Sequence, residues 1–287
     1  MIALGVGLIA LGVGACGPGS DGESGDSTTI VAAFYPLAYA AEQIGGPQVD
    51  VVNLTPPGTE PHDVELSARD VERVRSADFV FYIGSGFQPA LEDALEGSKA
   101  TAVDLLEGLR LREAADTEED VDVDPHVWLD PLRYAEMSDR IGRALGRAER
   151  AATFRAQLES LDREYEAALS QCRRREIVTS HAAFGYLAER YRLEQIAITG
   201  LSPEAEPTPR ELEDVVEDVR RHDATTVFFE TLVSPRLAET VARETGASTA
   251  VLNPLEGLTE EELARGEDYF SLMLANLKTL RQALECD

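Results

Sequence analysis

Four histidines occur in 287 residues, few enough to weigh one at a time. His62 lies in Thr59-Glu60-Pro61-His62-Asp63, after a β-branched run at 49–54 and before a helical pattern. His126 lies in Asp124-Pro125-His126-Val127-Trp128-Leu129-Asp130-Pro131, a turn framed by prolines. His181 follows directly on the run 176–180, in Thr179-Ser180-His181-Ala182-Ala183-Phe184. All three stand where strands finish and helices have not begun, the edge of an open parallel sheet at which ligands bind. Three neutral imidazoles with one oxygen make a good zinc set, whereas manganese prefers more oxygen. Each histidine alone is equally explained as a structural hydrogen-bonding residue, and separations of 64 and 55 residues match no compact motif. His222 follows Arg220 and Arg221 at the end of a helical pattern, where a cation suits the helix C-terminus, and no site role is assigned to it.

The elements that must position these rings alternate along the chain. Strand candidates are 29–34, 49–54, 77–83 and 101–105 in the first half, and 176–180, 195–199, 225–230 and 248–253 in the second. Helical stretches begin near Pro36, Leu66 and Phe87, and Ser67 with Asp70 approximates a capping box. Thr208-Pro209-Arg210-Glu211 supplies a hydroxyl cap, a proline at the first helical position and a glutamate at the third. Such alternation predicts an α/β fold of two lobes, each a parallel sheet of about four strands flanked by helices. Between the halves, residues 131–171 carry no strand pattern. Within them 149–170 repeats Phe154, Leu158, Leu161, Tyr165 and Leu169 at near-helical spacing, which predicts one long joining helix. The domain reading is therefore a first lobe at 30–130, a linker with the long helix at 131–171, and a second lobe at 172–287.

Residues 1–15 are uncharged and almost wholly apolar or glycine, too short to span a bilayer as a helix and suited to the core of a secretory signal. They end at Val13-Gly14-Ala15-Cys16, which resembles a bacterial lipobox with Cys16 as the lipidated residue. Residues 16–29 then read as a polar flexible tether. The expected location is extracytoplasmic, on the outer face of the cell membrane. Cys172 and Cys286 remain as one pair in the mature chain, which suggests a disulfide in an exported protein; two free thiols are the alternative. With 26 basic and 53 acidic residues the net charge is −27, which argues against nucleic acid and against docking on anionic lipid through a basic patch. The acidic stretch 113–124 reads as a solvated loop. Three methionines are too few for a copper-binding cluster.

Three boxes taken together resemble the zinc/manganese-type solute-binding lipoproteins of metal ABC importers, the cluster A-I family. They are Glu60 to Asp70 around His62, Asp124 to Pro131 around His126, and Thr179 to Leu187 around His181. Further matching residues are Phe81, Tyr82, Gly84, Phe87, Gln88, Leu91 and Glu92, and the stretch from Ile198 to Pro203. The resemblance runs from about Ile30 to Leu284. It implies a receptor that holds its ion between two lobes and hands it to an ABC permease, with His62 and His126 from the first lobe and His181 from the second. The family supplies a fourth, carboxylate ligand in a Leu-Asp-Pro-Leu-like stretch, where this chain has Leu252-Asn253-Pro254-Leu255. Asn253 is a weaker oxygen donor, and Glu230 at the end of the run 225–230 could reach the same edge; either of them, or water, is expected to complete the set.

The cargo expected is Zn2+, with Mn2+ second, and a monomer anchored through Cys16 is expected. Three histidines with an open fourth position would also serve a zinc hydrolase or hydratase. Neither a Gly-x-Ser-x-Gly elbow nor a His-Glu-x-x-His helix is present, so an enzyme is not expected. A manganese receptor or adhesin is the other alternative.

Overall fold

The computed structural model describes residues 27–62, 64–114 and 123–287. The expectations for the leader, for Cys16 and most of the tether, and for the centre of the acidic stretch lie outside those residues. In the first half β1 (Thr28–Ala32), α1 (Tyr35–Gly45), β2 (Val49–Asn53), α2 (Ala68–Ser76), β3 (Phe79–Tyr82), α3 (Pro89–Leu95) and β4 (Thr101–Asp104) alternate. Two helices follow without a strand, α4 (Pro131–Ala144) and α5 (Ala148–Leu169). The second half runs β5 (Glu176–Thr179), α6 (Gly185–Tyr191), β6 (Glu194–Ala197), α7 (Pro209–Arg221), β7 (Thr226–Phe229) and α8 (Arg236–Thr245). It closes with β8 (Ser248–Val251), α9 (Glu260–Arg265) and α10 (Tyr269–Ala283). Among the described residues no helix is long and apolar enough to cross a membrane.

The strands form two four-stranded parallel sheets of the same order, β2-β1-β3-β4 and β6-β5-β7-β8. Each is the parallel, helix-flanked sheet that the alternation of patterns implies. Every strand stops one or two residues short of its apolar run, because the last residues turn out of the sheet into the loops at its C-terminal edge. In both sheets the chain leaves the first strand in one direction and returns on its other side, so a crevice opens at the ends of the central strands.

The segment between the halves holds two helices rather than one. Asp130 starts α4: its Oδ1 accepts from the Leu132 amide at 2.9 Å, and Pro131 occupies a position whose N–H would have no helical partner. Gly146, at φ 66°, makes the turn into α5. A Cβ on Gly142 would stand 2.4 Å from that of Ala151, so the absence of a side chain there lets α4 and α5 meet. At 22 residues, α5 is about 33 Å long. It buries Phe154, Leu158, Leu161, Tyr165 and Leu169, and the Tyr165 hydroxyl donates to the Met273 carbonyl of α10 at 2.6 Å. The main apolar core runs continuously from the first sheet through Trp128, Tyr134 and Tyr165 to Tyr269 and Met273. A smaller core packs Val178 and Val227 against α7 and α8.

Cys172 and Cys286 form a disulfide between the segment before β5 and the segment after α10, 114 residues apart in sequence. Closing so long a loop restricts the unfolded chain. The double variant Cys172→Ser, Cys286→Ser is expected to lose about 2–5 kcal/mol of stability, read as a lower urea midpoint with a steeper slope as the unfolded chain opens further. An unmoved midpoint would show the crosslink to be without effect on folding.

Candidate metal centre

The three expected histidines meet at the crevice between the two sheets. His62 comes from the loop after β2, His126 from the turn before α4, and His181 stands two residues beyond the end of β5. Their Nε2 atoms surround one carboxylate oxygen. Glu256 Oε1 lies 3.2 Å from His62 Nε2, 3.1 Å from His126 Nε2 and 3.3 Å from His181 Nε2. The Nε2 atoms of His126 and His181 are 3.4 Å apart. One donor atom from each of the four residues lies within 4.8 Å of all the others. A tetrahedral ion with bonds of about 2.0–2.1 Å has six ligand–ligand edges of about 3.3 Å, and these four separations match four of them.

Neither residue expected at the fourth corner joins this cluster. Glu230 follows β7, and its Oε1 takes the other ring nitrogen of His181, Nδ1, at 2.7 Å and the His181 backbone amide at 3.3 Å. It therefore orients the ring instead of meeting the ion. Asp124, from the acidic stretch, does the same for His126, with Oδ1 2.8 Å from Nδ1. A carboxylate on Nδ1 favours the tautomer whose Nε2 lone pair is free for a cation. Replacing Glu230 by glutamine keeps the shape and removes the charge behind His181. Its zinc dissociation constant is expected to rise about 10–100-fold, measured by competition with a chelating dye. A constant unmoved by the substitution would mean that the ring is held by packing alone.

Asn253 is turned away and shapes the loop. Its Oδ1 accepts from the Leu255 amide at 2.7 Å, while its Nδ2 donates to Glu262 Oε1 at 3.1 Å and Thr231 Oγ1 at 3.2 Å. Asn276 braces the same residue through both its backbone groups, at 2.9 and 2.6 Å. That bracing holds Leu255 at φ 56°, a left-handed conformation unfavourable to a branched side chain, and the next residue, Glu256, is thereby delivered into the crevice. The carboxylate thus stands one position beyond the stretch Leu252-Asn253-Pro254-Leu255. A glutamate closely following the run 248–253, at the same sheet edge as the histidines, was the available signal.

The site is buried except at His62. His126 and His181 are fully buried and Glu256 is 1% exposed, while the His62 side chain retains 11%. Trp128 lies beneath the site, its ring 5.2 Å from that of His126, and its Nε1 donates to the Pro254 carbonyl at 2.8 Å. It ties the His126 turn to the Glu256 loop. The Gly58 amide donates to the Leu258 carbonyl at 2.7 Å, joining the His62 loop to the same segment.

Burial would raise the Glu256 pKa, but His181 and the other two rings outweigh it and hold the carboxyl well below the usual range. Burial would lower that of His181, but Glu230 and Glu256 overcome it and hold the imidazole well above its ordinary value. His126 is raised in the same way: burial opposes its charge, and Asp124 and Glu256 outweigh that opposition. His62, whose burial is offset only in part by Glu256, is lowered. His126 and His181 thus favour the protonated form and Glu256 the ionised one.

Comparison with known proteins agrees with this geometry. A family model described as zinc-uptake complex component A, periplasmic, matches residues 30–283. The zinc-binding lipoprotein AdcA of Streptococcus pneumoniae is 37% identical over 278 residues, covering 89% of this chain and 56% of that protein. This chain therefore spans about half the length of that relative. The high-affinity zinc uptake system protein ZnuA of Bacillus subtilis is 33% identical over 298 residues, with 95% and 93% covered. The crystal structure of the Zn(II)-bound ZnuA-like domain of S. pneumoniae AdcA superposes with a TM-score of 0.76 at 37% identity, covering 90% of this chain and 99% of that one.

Proposed function

Because the chain belongs to the zinc-uptake complex component A family, we propose that it captures Zn2+ outside the cell and delivers it to the permease of an ABC importer. The observation that carries this reading is the convergence of His62, His126, His181 and Glu256, with Glu256 Oε1 3.1–3.3 Å from the three Nε2 atoms and all four donors within 4.8 Å of one another. Three imidazoles and one carboxylate are a zinc set, and Mn2+ would want a larger, oxygen-richer shell. A catalytic zinc keeps one corner for water; here a protein carboxylate stands at that corner, which favours holding and releasing an ion over chemistry on it.

The parts are assigned as follows. Residues 1–15 direct export, Cys16 carries the lipid, and 16–29 tether the receptor to the membrane. Residues 30–130 form one lobe and 172–287 the other, with 131–171 joining them, and the ion sits between. His62 is the most accessible of the four ligands, so its loop is the natural route of entry and exit. Calorimetric titration of metal-stripped protein at neutral pH tests the reading. A tight Zn2+ site that survives competition from excess Mn2+ supports it, and failure to take up Zn2+ overturns it.

A further inference from the structure

A second set of donors converges at the opposite end of the second sheet. β5 and β6 each begin with a glutamate, and their parallel register sets Glu176 beside Glu194. His222, the residue that ends α7, approaches the same corner, with Nδ1 3.8 Å from Glu176 Oε1. One donor atom from each of the three residues lies within 4.8 Å of the others.

Four features of this corner point to a cation. Like charges at facing register positions repel, and a divalent ion between them converts that repulsion into attraction. The 3.8 Å gap between imidazole and carboxylate is too long for a hydrogen bond and about 0.5 Å wider than the ligand–ligand edge of a tetrahedral zinc site, so a small turn of either side chain would close it on an ion. Glu176 Oε2 already accepts from the Arg175 amide at 3.1 Å, which fixes the carboxylate and leaves Oε1 toward the ring. The corner also lies at the C-terminal end of α7, where the helix dipole favours positive charge.

We propose that Glu176, Glu194 and His222 form a second binding site, open to solvent, for a divalent transition-metal ion of the zinc type, with water completing its coordination. His222 and Glu176 are 28% and 22% exposed, so an ion reaches this corner without any loop moving. One imidazole and two exposed carboxylates bind less tightly than the buried tetrahedron.

Titration of the metal-stripped protein with Zn2+ is expected to show a second ion per chain, weaker than the first by at least about a hundredfold. His222→Ala is expected to abolish that second event and leave the first unchanged. Glu194→Gln, which keeps the shape of the strand edge, is expected to weaken it about tenfold or more. His126→Ala, which removes a ligand of the buried site, is expected to spare it. A zinc-edge anomalous peak among the three side chains is the matching crystallographic result. One ion per chain at saturating Zn2+, or a second ion that persists in His222→Ala, overturns the proposal.

Discussion

Replacing Glu256 with glutamine is expected to weaken zinc binding by more than about a hundredfold, a loss of about 2.7 kcal/mol or more. Glu256 Oε1 sits 3.1–3.3 Å from three imidazole Nε2 atoms and is the one anionic corner of the tetrahedron. Glutamine preserves the volume and one oxygen, so the substitution removes charge while leaving the crevice its shape. Substitution of residues that merely orient ligands costs about 10–100-fold, and the loss of a ligand's charge in a buried site should exceed that. Glu256→Gln should therefore fall below Glu230→Gln in affinity when both are measured in the same chelator competition. Equal affinities would assign Glu256 a bystander's place. Asn253→Ala offers a second route to the same corner, since it strips the acceptor for the Leu255 amide and so frees the backbone that aims Glu256. It is expected to lower affinity without removing any donor.

The contrast between His181 and Glu256 shows what a sequence can reveal about such a site. His181 stands at the end of a β-branched run, and a strand's end in a parallel sheet has a defined place in space. With only four histidines in the chain, three at equivalent places were conspicuous. Glu256 is one of 53 acidic residues and shares no spacing with the histidines. Its position depends on Leu255 taking a left-handed backbone, which in turn depends on Asn253, Asn276 and Glu262 meeting across 23 residues of chain. Those are tertiary contacts with no local signature. The same reasoning separates the eight strands of the described residues, each legible from its local pattern, from the break between α4 and α5. That break rests on Gly142 and Gly146, whose purpose shows only when two helices touch. Glu230 was placed at the correct edge, but edge position alone cannot tell whether a carboxylate meets an ion or the far nitrogen of an imidazole.

Zinc affinity is expected to fall steeply as pH drops, beginning at a higher pH than an ordinary imidazole would require. Protonated imidazole cannot bind a cation, and His181 and His126 both hold their protons more firmly than the reference value of 6.5. Zinc must displace those protons, so binding at neutral pH is expected to release at least one per ion, measured by calorimetry in buffers of different ionisation enthalpy. Zero release would contradict the assigned protonation. The sign for stability without zinc is opposite. The raised His181 pKa contributes stability that is fully present below the unfolded value and is lost as pH rises through the folded one. The depressed Glu256 pKa contributes stability present above its unfolded value of 4.5 and lost as pH falls through the folded one. The metal-stripped protein thus favours the mildly acidic side of neutrality, where Glu256 is ionised and His181 protonated together. The zinc-loaded protein favours the pH above it. The rise in melting temperature on adding zinc should accordingly be small in mild acid and grow through neutrality.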